Sequence, residues 1–85
     1  MKAITNTKIR KLKGGWKVAE EGDDSEYVQE LKVELCIQGN KKDGYHLVMM
    51  PEGCFAADYH YFSKQEAKDD AAEIFGVPVD GWSND

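Results

Sequence analysis

Between residues 30 and 38 the chain alternates in kind: Leu31, Val33, Leu35 and Ile37 are apolar, while Glu30, Lys32, Glu34 and Gln38 are polar. A period of two over that length predicts a β-strand with one face toward a core. Gly39-Asn40-Lys41-Lys42-Asp43-Gly44 supplies turn formers and residues 45–50 the returning strand, so a hairpin is expected. Pro51-Glu52-Gly53 then fits a three-residue connection, which predicts that residues 54–61 pair back as the next strand of a meander. Upstream, residues 15–20 point Trp16 and Val18 inward, and a weaker piece at residues 7–12 can pair with them across Gly14-Gly15. The acidic stretch 20–26 separates these from the strand at Leu31 and reads as a solvated loop.

The period changes at the end of Asp58-Tyr59-His60-Tyr61-Phe62-Ser63-Lys64-Gln65-Glu66-Ala67. Ser63 followed by Glu66 is a capping box, with Phe62 and Ala67 in the staple positions around it. Ala67, Ala71, Ile74 and Phe75 form one apolar stripe at helical spacing. Gly76 can take the left-handed C-terminal position, Val77 can close the contact beneath it, and Pro78 stops the helix. The tail Val79-Asp80-Gly81-Trp82 is expected to fold back, since an exposed indole is costly. The expectation is an α+β fold, an antiparallel β-meander of three to four strands followed by one C-terminal helix packed on one face (ββββα), in a single domain over residues 1–85.

A three-residue connection sets a register with Met49 opposite Phe55, Leu47 opposite Ala57 and Tyr45 opposite Tyr59, all on the core face. The same register puts His46 opposite Asp58 on the far face, with His60 and Cys36 close by. A Cys36 nucleophile with His46 as base and Asp58 as orienter lacks an oxyanion hole or pocket on a flat sheet. A zinc site from Cys36, His46, Cys54 and His60 lacks the close-paired ligand spacing such sites use. The expectation is therefore a surface His–Asp pair, with no catalytic, cofactor or metal site.

The far face also carries apolar Val48, Met50, Ala56 and Phe62, which calls for a covering surface: the folded N-terminal segment, a second copy of the chain or a partner. With Asp69, Asp70 and Glu73 on the helix, these are the candidate partner-binding residues. In outline, the S-x-x-E-A start after a hairpin resembles small HicB-type antitoxin domains over about twenty residues. The resemblance implies a hairpin followed by a capped helix and carries over no functional residue. Those domains place a further strand after the helix, whereas few residues follow Gly76 here.

Charge adds an alternative. Residues 1–17 hold six basic side chains and no acid, a block of +6, and the remaining residues amount to −11, for a net charge of −5. Lys8, Arg10, Lys11, Lys13, Trp16 and Lys17 could serve a nucleic acid, with Trp16 stacking on a base. The sixteen acids oppose that use, and laying the basic segment against the acidic body is the simpler role. Two cysteines are too few for a disulfide scaffold, and no apolar run suits a leader or a membrane span, so a cytoplasmic location is expected. These readings together describe a small interaction, regulatory or inhibitor module without catalytic activity. Its partner is another protein or a second copy of itself, with the nucleic-acid reading as the alternative.

Overall fold

The computed structural model describes residues 1–23, 25–78 and 80–83. Five strands, β1 (Lys2–Leu12), β2 (Gly15–Val18), β3 (Val28–Asn40), β4 (Gly44–Pro51) and β5 (Ala57–Tyr61), precede one helix, α1 (Lys64–Phe75). All pairings are antiparallel, in the order β2-β1-β3-β4-β5. The expected α+β architecture is present, with one strand more than the upper count. The weak piece at residues 7–12 is the end of β1, which pairs with β3 from Lys2↔Cys36 to Arg10↔Val28. Its inward positions include Ala3, Thr5 and Thr7, whose small or hydroxylated side chains give little apolar contrast, so the strand depends on its neighbours for definition.

Because β2 already occupies one edge of β1, β3 adds to the other, and the intervening loop passes over the outer face of β1 near Arg10. Asp23 holds that crossing: its carboxylate accepts from Arg10 Nη1 at 2.7 Å and from the Ser25 amide at 3.1 Å. These bonds, the Ser25 amide first, lower the Asp23 pKa below the usual carboxylate value. The acidic stretch is thus partly a tether, not wholly a solvated loop; Asp24 lies outside the described residues.

The β4–β5 register differs from the expected one by two residues: Met49 faces Ala57, Leu47 faces Tyr59 and Tyr45 faces Tyr61. A slip of two keeps every side chain on its expected face, since the side-chain period is two. The cause lies in the connection. The β3–β4 pairing continues through Val33↔Pro51 and the Glu52 amide bonded to the Lys32 carbonyl, while Gly53 at φ +78° closes a turn from Pro51 to Cys54. Residues 52–56 are consumed before pairing resumes. Phe55, expected in the core, is 79% exposed, and Tyr59 at the edge is 56% exposed.

The inner face carries the core. Ile9, Val33, Leu35 and Leu47 are sealed, and Ala67, Ala71 and Phe75 of α1 lie buried with them in one cluster. Burying a side chain such as Leu47 or Phe75 is worth about 1.5–3 kcal/mol. The Ser63 hydroxyl accepts from the Glu66 amide, and the Glu66 carboxylate accepts from the Phe62 amide, so the capping box forms. Phe62 itself turns away and is 84% exposed, so the expected staple with Ala67 is not made. Gly76 at φ +71° ends the helix, and Val77 is buried beneath it. Trp16 packs on the other end of the core and donates from its indole to the Phe55 carbonyl at 2.6 Å, linking one edge of the sheet to the connection beside the other. Trp82 also returns to the core, and Ser83 beyond it, itself exposed, forms an antiparallel bridge with Lys2 at the edge of β1. Val79 lies outside the described residues.

Candidate protein-binding surface

On the opposite, outer face the register lays side chains in rows. Ile4, Glu34 and Met50 form one, Lys2, Cys36, Val48 and Asp58 the next, and Gln38, His46 and His60 a third. The first two rows form the floor of a trough of about 590 Å³, where Glu34 stands between the apolar Ile4 and Met50, next to Cys36 and Val48, and where Lys2, Gly81 and Ser83 line the side at the edge of β1. Cys36 is buried, and its sulfur accepts from Gln38 Nε2 at 3.4 Å. Val48 and Met50 are half-buried, whereas Ile4 is 63% exposed. An aliphatic side chain that open beside two half-open ones is a surface suited to losing water against another molecule.

The two-residue register difference changes the neighbours of the histidines. His46 lies opposite His60, and Asp58 lies opposite Val48, correcting the expected His46–Asp58 cross-strand pair. The two side chains approach on the diagonal instead, with His46 Nδ1 at 3.6 Å from Asp58 Oδ2. The His46 and His60 rings meet edge to face at 5.1 Å, and His60 meets Phe62 likewise at 5.7 Å. Gly44, at φ +89°, lets the His60 ring lie over the backbone, where a side chain at 44 would collide with it. Cys36 pairs across the sheet with Val48, and Cys54 sits in the connection outside the strands. Among the described residues no three His, Cys, Asp or Glu side chains are arranged to hold a metal ion.

The other candidate residues divide between surfaces. Ala56 is exposed but precedes β5, and Phe62 follows it, so neither borders the trough. Asp69 and Glu73 are exposed on α1, which packs on the inner face, away from Val48 and Met50. Asp70 is half-buried beside Tyr61, whose phenol is pushed above its ordinary pKa first by burial and then by its hydrogen bond to Asp70. One flat partner could not cover both groups of residues.

The basic set is dispersed as well. Lys8 lies opposite Glu30, Arg10 is held by Asp23, and Trp16 is part of the core and bonded to Phe55. Lys11, Lys13 and Lys17 remain exposed on the β1–β2 hairpin.

Ile4 and Lys2 are the surface residues that the sequence reading missed. The available signal was the alternation of Ile4 with Ala3 and Thr5, legible only once β1 is known to begin at Lys2. No helix among the described residues is long and apolar enough to cross a membrane. No protein-family model matches the chain, and no curated protein or solved structure is detectably similar to it.

Proposed function

We propose that this chain is a protein-binding module without catalytic activity, taking its partner on the outer face of the sheet across Ile4, Val48 and Met50. The observation that carries the reading is the unequal closure of the two faces. The helix and Trp16 cover the inner one, while the outer one keeps a trough in which Ile4, Val48 and Met50 lie beside the charged Lys2 and Glu34. A trough of that size takes a few side chains of a partner, and Lys2 at its edge and Glu34 on its floor can orient polar groups of that partner. Regulation or inhibition of the bound protein follows from occupancy, with no chemistry required of the module. The nucleic-acid alternative has less support, because Arg10 and Trp16 are engaged within the fold.

The test is a pull-down from nuclease-treated lysate of the source cell, comparing the wild type with a Val48→Glu, Met50→Glu variant. One protein retained in stoichiometric amount by the wild type and lost by the folded variant supports the reading. Equal retention by both removes the outer face from it, and salt-sensitive binding to generic DNA or RNA would favour the alternative.

A further inference from the structure

The free edge of β5 is a second recognition surface, and its hydrogen-bond phase can be followed across the sheet. Met1 and Ile37 exchange N–H and C=O at 3.2 and 2.8 Å, so the odd residues of β3 bond toward β1. The even residues of β3 then bond toward β4, as the Glu52 amide on the Lys32 carbonyl confirms. By the same alternation the odd residues of β4 bond toward β5, and Ala57, Tyr59 and Tyr61 receive them. The N–H and C=O groups of Asp58 and His60 therefore point away from the sheet, and no backbone partner for them exists among the described residues.

Natural edges are blunted by lysine, proline, bulges or covering segments. The β2 edge has four residues and carries Lys17, and the outer edge of β1 is partly closed by Ser83 and Ala19. Ala57-Asp58-Tyr59-His60-Tyr61 carries the single charge of Asp58 but no lysine or proline, and no covering segment among the described residues. Exposed aromatic side chains are concentrated around it, with Phe55, Tyr59 and Phe62 all among the exposed large hydrophobics.

We infer that β5 pairs antiparallel with β5 of a second copy of this chain, about a two-fold axis at Tyr59, to give one continuous sheet across a dimer. The residue sequence selects both the partner and the register. Pairing of outward-bonding residues with each other leaves axes at Asp58, Tyr59 or His60 as the short-range choices. An axis at Asp58 sets carboxylate against carboxylate, and one at His60 sets imidazole against imidazole. The axis at Tyr59 places Asp58 opposite the partner's His60 and the partner's Asp58 opposite His60, both as hydrogen-bonded pairs. It also brings Tyr59 against its own copy on the inner face, as the closer non-hydrogen-bonded pair, and Ala57 against the partner's Tyr61. An isologous contact of this kind closes at two copies and leaves the outer trough on the same side in both. This inference does not rest on the partner reading of the outer face.

Two measurements on the full chain test it together. Sedimentation equilibrium should show a concentration-dependent species of twice the chain mass. His60→Asp, which sets carboxylates opposite each other, should weaken it by about tenfold, and the exchange Asp58→His, His60→Asp should recover most of that loss. Single cysteines at positions 58, 59 and 60 are then introduced in turn, in a Cys36→Ala, Cys54→Ala background checked by circular dichroism. Mild oxidation should cross-link Tyr59→Cys, whose Cα atoms would lie about 4.5 Å apart. Asp58→Cys and His60→Cys should stay uncoupled at about 7–8 Å. A monomer at every concentration, faster coupling at 58 or 60, or a dimer lost in Val48→Glu, Met50→Glu but unchanged in His60→Asp overturns the proposal.

Discussion

Leu47 and Val48 are neighbours on β4 and point to opposite faces. Leu47 is sealed between strands and helix, whereas Val48 borders an open trough. Both are aliphatic, and both lie on a strand with neighbours on either side. What separates them is the cover: α1, Trp16, Val77 and Trp82 all pack on the core, and none of them is spent on the outer face among the described residues. An apolar side chain contributes to folding only as far as its surface leaves water, so equal hydrophobicity gives unequal roles. The inner face holds the chain together, and the outer face keeps apolar area in reserve.

The contrast is broken most directly from the inside. Leu47→Ala should cost about 2–5 kcal/mol in urea unfolding, while Val48→Ala costs less than about 1. Comparable losses would mean that both faces are core. The hairpin that keeps the faces in phase offers the next test. Gly39 and Gly53 both have positive φ, but a Cβ at 39 would strike the Gly44 carbonyl oxygen, whereas one at 53 meets open space. Gly39→Ala should therefore cost about 3 kcal/mol and Gly53→Ala about 1. Ser63→Ala removes the acceptor for the Glu66 amide and should cost about 1 kcal/mol, read as helix fraying by amide exchange.

The smallest expected effect is at the crossing loop. The Asp23 carboxyl titrates lower in the folded chain than in the unfolded one, so its contribution is complete above the unfolded value of about 3.9. It is lost as pH falls through the lower folded value. The difference in urea midpoint between wild type and Asp23→Asn should stay constant from about pH 7 to 5 and narrow below about pH 4.

Local signals were legible where they were strong and contiguous. The β3 alternation, the β3–β4 turn, the Ser63/Glu66 cap and the Gly76 stop each involve residues within a few positions of one another. The structure places all of them as read. Features that depend on distant partners were not. The length of β1 comes from β3, whose paired residues lie 18 (Arg10↔Val28) to 34 (Lys2↔Cys36) positions further on, because Ala3, Thr5 and Thr7 give little pattern of their own. The β4–β5 register depends on Pro51 remaining paired with Val33 and on Trp16 engaging the Phe55 carbonyl, and neither is encoded within the connection. For the candidate surface, face assignment survived the register change because the difference was even. Val48 and Met50 lie on the outer face as expected, Ile4 joins them from a strand whose start was not legible, and His46 has His60 opposite it in place of Asp58.

The outer face, with Ile4 63% exposed and Val48 and Met50 half-buried, is free surface and not a second core. The unfolding free energy of Val48→Glu, Met50→Glu, measured in urea at neutral pH beside Leu47→Ala, tests it most directly. Its value should lie within about 1 kcal/mol of wild type, because carboxylates placed at an open trough stay hydrated. A loss as large as that of Leu47→Ala would contradict it and show that the fold itself covers Val48 and Met50.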